Sequence, residues 1–160
     1  MNLALTAPDW LAWALGALLV AAAAEDAYRL RISNIISIAL LVLALVAMAV
    51  VGFSISLWEN GVVFAAILAI GTFLFGRGWL GGGDVKLLAS LGLWFDLEGA
   101  LRLVLSVLIA GGVLALVILA LRMVTGGKGN HPIAVLNKGA GIPYGIAIAA
   151  GALITLSARS

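Results

Sequence analysis

Apolar residues run along this chain in long blocks broken only by short polar stretches, and that pattern admits few folds. Six blocks stand out, at residues 7–24, 35–55, 61–76, 85–95, 99–121 and 139–156. A soluble domain is about 45–50% apolar and about 25% charged. This chain is 64% hydrophobic and 10% charged, which excludes an ordinary water-soluble globule and a disordered tail. Within a bilayer every backbone polar group must be satisfied inside its own segment, and strand alternation is absent, so the blocks are expected to be helices. The expected fold is an all-α integral membrane bundle of six transmembrane helices, forming a single domain over residues 1–160. The fourth helix is short: 85–95 rises roughly 16 Å, about half the hydrocarbon thickness.

Charge sets the expected orientation. No lysine or arginine precedes Arg29, and Asp9 lies near the beginning. The first block therefore lacks the basic start of a signal peptide and is kept as a span. With six crossings and the N-terminus outside, Arg29, Arg31, Arg77, Lys86, Arg122, Lys128 and Lys138 collect on the cytoplasmic side, seven of the nine basic residues. Asp9, Glu59, Asp96 and Glu98 fall outside. If the fourth block did not cross, residues 122–138 would turn outward and the bias would weaken, so the positive-inside rule favours six spans. Trp10, Trp13, Trp58 and Trp94 would then mark the outer interface, and Tyr28 and Trp79 the inner one. Residues 122–138, with Gly126, Gly127, Gly129 and Pro132, are expected to form a long cytoplasmic loop. Gly145/Ala149 and Ala147/Gly151, each four apart, would let the last helix pack closely.

The same composition narrows the chemistry. A net charge of +2, widely scattered, makes no nucleic-acid surface. Without cysteine there is no disulfide, thiolate metal site or cysteine nucleophile. His131 has no second metal-type ligand near it in sequence, and neither metal nor cofactor is expected. Acids near membrane depth are costly and so are functional candidates. Asp26 ends the first block and Asp84 opens the fourth, after Gly81, Gly82 and Gly83. In the six-span arrangement both lie at the cytoplasmic face, where a bundle can bring them together. Two close carboxyls share one proton, which suits peptide hydrolysis: one activates water while the other polarises the carbonyl. By helix position Asp84, at an N-terminus, carries the charge and Asp26, at a C-terminus, holds the proton. Arg29, Arg31 and Lys86 are placed to reverse that assignment. Plainer roles stand beside these: Asp84 as a helix N-cap, Asp26 as an interfacial acid beside Glu25, and the glycines as a turn.

Three stretches resemble the prepilin peptidases, membrane aspartyl proteases of the GxGD type. Gly81-Gly82-Gly83-Asp84-Val85-Lys86-Leu87-Leu88-Ala89 is similar to their GxGD-x-K-L-L-A signature. Asp26-Ala27-Tyr28-Arg29-Leu30-Arg31-Ile32-Ser33-Asn34 resembles their D-x-R-x-x-R-I-P-N stretch, with Ser33 in place of the proline. Serine there can cap the following helix. Ile142-Pro143-Tyr144-Gly145-Ile146-Ala147 resembles I-P-[YF]-G-x-A. The first acid arrives at residue 26 and cysteine is absent, so the chain looks most like the small Flp/Tad-type bacterial members, without the methylating region of the large ones. Archaeal preflagellin peptidases are a related possibility. Presenilin-type proteases share GxGD but carry the first acid in a Tyr-Asp pair, where this chain has Glu25.

The resemblance implies an intramembrane-type aspartic endopeptidase of the bacterial inner membrane, its active site facing the cytoplasm. The substrate would be a type IV prepilin or pseudopilin, whose short leader is removed; the other partners would be the lipid bilayer and the pilus assembly machinery. Asp26 and Asp84 would be catalytic. Gly81, Gly82 and Gly83 would admit an extended substrate. Lys86 would pair with Asp84 or with an acid near the start of the mature pilin. Asn34 would hold the active-site loop or start a helix. Pro143 and Tyr144 would shape the substrate cleft or kink the helix. Two other functions fit the composition: a non-enzymatic subunit of a pilus or secretion assembly, and a GxGD protease of other membrane peptides.

Overall fold

The computed structural model describes residues 1–124 and 141–157. Among these residues there are seven helices and no strand: α1 (Leu3–Thr6), α2 (Asp9–Arg29), α3 (Asn34–Val51), α4 (Leu57–Gly76), α5 (Gly82–Gly92), α6 (Leu97–Val124) and α7 (Tyr144–Ser157). Four of them, α2, α3, α4 and α6, are long and apolar enough to cross a membrane. A crossing takes about 17–25 residues, which α5 with 11 and α7 with 14 do not reach, so length alone does not give the expected six.

The two short helices lie at the centre. α5 packs against α3, α4 and α7, while α7 packs against α2, α5 and α6. Burial follows: six of the 11 residues of α5 are buried, but only five of the 28 of α6. The long helices turn large apolar side chains outward, including Ile70, Leu108 and Leu116. In water such a surface would aggregate, and a lipid environment satisfies it. The chain is built as a multi-pass membrane protein. The small residues of α7 do the packing expected of them: a side chain at Gly151 would come within 2.6 Å of the Val107 backbone nitrogen, and one at Gly111 would meet Ala147.

Several expectations change. The second block ends at Val51 rather than residue 55, because Gly52 takes a φ of 99° that stops the helix. The fourth starts at Gly82, three residues early, and ends at Gly92. Helix α1 lies outside the six apolar blocks. It is buried at Leu3 and Ala4, and the Ala4 N–H donates to the Trp94 carbonyl at 3.1 Å. The buried Asn60 side chain ties the same region, donating to the Leu93 carbonyl at 2.9 Å. Residues 125–140, including Lys128, His131 and Lys138, lie outside the described residues, as does Arg159.

Trp94 is not part of an interfacial belt. Trp10, Trp13, Trp58, Tyr28 and Trp79 are all exposed, but Trp94 is fully buried. Its indole N–H donates to the Leu40 carbonyl at 3.4 Å. Neighbouring helices α1 and α3 close over it, which no rule based on aromatic position registers. Trp94→Ala is expected to destabilise the protein by about 3–5 kcal/mol, measured by thermal unfolding in detergent, through the cavity it leaves.

Candidate active site

Asp26 lies in the last turn of α2, which closes at Leu30 in the left-handed conformation, φ 52°. Among the described residues Leu30 is the only non-glycine with positive φ. The chain then turns sharply into α3. Ser33 takes the N-cap position of α3, yet its side chain makes no capping bond. Its N–H instead donates to Glu25 Oε2 at 2.9 Å, so Glu25 pins the turn from the preceding helix. Glu25 had no assigned role in the sequence; its place just before Asp26 was the only signal.

The turn carries Ile32 between the starts of α5 and α7. A side chain at Gly83 would lie 3.2 Å from the Ile32 carbonyl, and one at Gly145 would lie 2.7 Å from Ile32 Cδ1. Glycine at both positions lets the two helix N-termini close on Ile32. That contact sets the spacing of α5, which bears Asp84, and α7, which bonds to Asp26.

Asp26 is only 4% exposed, which rules out a snorkelling interfacial role. A buried carboxyl needs hydrogen bonds to be tolerable. The Gly145 N–H, in the first turn of α7, donates to Asp26 Oδ2 at 2.7 Å. Gly145 therefore does more than pack, contrary to its expected role. Asp84 is not the N-cap of α5; Gly81 is, and Asp84 is the third residue of the helix. Its carboxylate reaches back to the Gly81 N–H at 3.2 Å, the acid half of a capping box. Both acids thus sit at helix N-termini, Asp26 at that of α7 in space and Asp84 at that of α5 in sequence. Helix position no longer separates their charges, because α7 offsets the C-terminal dipole of α2 at Asp26.

The two carboxyls face one cavity of about 600 Å³, lined also by Leu30, Arg31, Tyr144 and the three glycines. Gly81, Gly82 and Gly83 line this cavity, and a side chain at any of them would meet protein: Asp84, Phe75 and Ile32 respectively. Tyr144 is on the cavity wall. Pro143 is fully buried and lies just before α7, so it sets the start of that helix and kinks none.

Lys86 and Asn34 are apart from this pair. Residues two apart on a helix point to different sides, and Lys86 faces away from Asp84. Its Nζ donates to Asn34 Oδ1 at 2.9 Å, joining α5 to the start of α3. The link is exposed. Asn34→Ala and Lys86→Met are each expected to cost about 1 kcal/mol of stability, and the double variant no more than either, in a double-mutant cycle.

A model of the type IV leader peptidase family matches residues 13–120, which include both acids. The chain belongs to that family. No curated protein and no solved structure matches it. Membership makes the chain a protease of the leader-peptidase type in general, and its long apolar helices are those of a membrane protein. Within the matched stretch Asp26 and Asp84 are the two acids that share a cavity. The matched stretch ends before α7, which supplies the Gly145 N–H to Asp26.

Proposed function

We propose that this leader peptidase removes the short cytoplasmic leader of type IV prepilins or pseudopilins of the Flp kind, with Asp26 and Asp84 as its catalytic carboxylates. The observation that carries the reading is that two acids 58 positions apart in sequence line one cavity at the starts of two central helices. The ionised carboxyl takes a proton from water, and the protonated one donates a hydrogen bond to the scissile carbonyl. The water oxygen bonds to the carbonyl carbon. The tetrahedral intermediate then breaks its C–N bond as the proton passes to the leaving nitrogen. Neither an acyl-enzyme nor a metal enters this scheme.

The topology belongs to the same proposal. α5 and α7, short but central, complete six crossings, with the N-terminus outside and the acids at the inner face of the bacterial inner membrane. The basic residues support this orientation through the positive-inside rule. A pilin leader is cytoplasmic and the helix after it is membrane-embedded, so the scissile bond lies at the depth of the acids. Handover to the pilus assembly machinery follows release.

Co-expression with a Flp-type prepilin, followed by mass measurement of the substrate, tests the reading. Loss of the leader is expected with the wild type. A membrane-inserted, folded wild type that cuts no prepilin but trims other membrane peptides would shift the substrate. One that cuts nothing would point to a non-enzymatic subunit.

A further inference from the structure

We infer that the apolar groove between α4 and α6 holds the substrate's membrane helix, the segment that follows the scissile bond. The inference rests on the proposed proteolysis and adds where the uncut part of the substrate sits.

The groove has a volume of about 440 Å³. Its long walls are apolar, with Ile70 on α4 and Leu108 and Gly112 on α6. Polar groups come at one end only, where Asp84 and Tyr144, together with Leu80, also line the cavity of the two acids. Groove and cavity therefore adjoin, with Asp84 in the wall of both. On α6 the lining runs from Val104 to Ala115, roughly 16 Å at 1.5 Å per residue. That length fits about three turns of a helix lying alongside. The groove opens sideways, since α4 and α6 touch little, and Ile70 and Leu108 are 61% and 66% exposed.

The occupant is argued from this shared wall. For the proposed proteolysis, the substrate segment nearest Asp84 must deliver a peptide carbonyl to the polar end of the groove. An apolar helix does this: its side chains meet the walls, its backbone is internally bonded, and the chain leaves its N-terminus into the polar cavity as an extended leader. A lipid tail matches the walls but brings no peptide bond to the acids.

Gly112 allows a direct test. A Cβ there meets no protein atom within 4 Å, so Gly112→Leu puts an apolar side chain at the groove wall from an unobstructed starting point. Two precursors serve as substrates: one with a leader, a scissile bond and an apolar helix, and one truncated after a few residues of that helix. The variant is expected to lower the preference for the helix-bearing precursor at least tenfold, mainly through KM. An unchanged preference would overturn the inference while leaving the protease reading in place.

Crosslinking gives the second readout, independent of cleavage. In the full-length Asp84→Asn protein, a photoreactive benzoylphenylalanine replaces Leu108 in the groove or Leu45, an exposed residue of α3 outside it. Adducts to the helix-bearing precursor are expected from position 108 and not from 45. Adducts to lipid alone at 108, or equal adducts at both positions, would overturn the inference. Adducts at 108 without any cleavage by the wild type would sustain the groove and remove the protease reading.

Discussion

Asp26→Asn and Asp84→Asn are each expected to lower leader cleavage by about 10³-fold or more, within the usual range for removing a general acid or base. Asparagine keeps the shape of the side chain and one carbonyl oxygen. In Asp26→Asn that oxygen still accepts the Gly145 N–H, so the start of α7 stays in place. In Asp84→Asn the link to the Gly81 N–H survives in the same way. Each variant loses the ability to exchange a proton with its partner, and catalysis goes while the fold persists. Because the acids act as a unit, the double variant is expected to be little worse than either single one. The check is the initial rate of leader removal, with thermal unfolding in detergent as the control. Residual cleavage within tenfold of wild type in either variant would take that residue out of the chemistry. In the wild type the rate is expected to fall at low pH, when both carboxyls are protonated, and at high pH, when both are ionised. The two limbs belong to the pair and not to either residue.

Asp26 and Asp84 stood out in the sequence because one ends an apolar block and the other opens one, each inside a stretch that resembles a family motif; either acid alone has an ordinary reading as an interfacial acid or a helix cap. The helices were legible because a block of apolar residues in lipid has only one way to satisfy its backbone. What the sequence concealed depends on packing between distant elements. The Gly145 N–H reaches Asp26 across 119 positions, and only the landing place of α7 creates that bond. The same contact undoes the assignment of charge by helix position, which considered each acid on its own helix alone. Ser33 has the right residue type and stands at the N-cap position, yet its side chain makes no capping bond, and its N–H ties the turn to Glu25 on α2. Trp94 follows the interfacial pattern in sequence, but it is buried where α1, a four-residue helix with no periodicity to detect, and α3 close over it. Of the two partners expected for Lys86, Asp84 or an acid of the mature pilin, the first is not met: the helix turns the lysine toward Asn34.

Two glycines of α7 separate rate from stability. A methyl group at Gly145 would lie 2.8 Å from Asp26 Oδ2, 3.0 Å from Asp26 Cβ and 2.7 Å from Ile32 Cδ1. The Ile32 methyl ends a flexible side chain and can rotate away cheaply. Asp26 is short and buried, so its carboxyl must move and its bond to the Gly145 N–H must lengthen. A displacement near 1 Å costs about 10²-fold when reacting groups must be aligned. Gly145→Ala is therefore expected to reduce kcat about 100-fold with little change in KM. Adding Ile32→Val relieves the side-chain contact and leaves the carboxyl contact, so it should recover stability without recovering rate. Gly151→Ala meets a different obstacle: its methyl would lie 2.6 Å from the Val107 nitrogen and 2.7 Å from its Cα, backbone that α6 cannot withdraw. It should cost about 1–3 kcal/mol of stability by overpacking, while the fraction that stays folded cuts at a near-normal rate. Kinetics normalised to folded protein, read beside thermal unfolding, separates the two. If Gly145→Ala lost stability alone and kept its rate, the α7 N-terminus would be a packing element and not the holder of a catalytic acid.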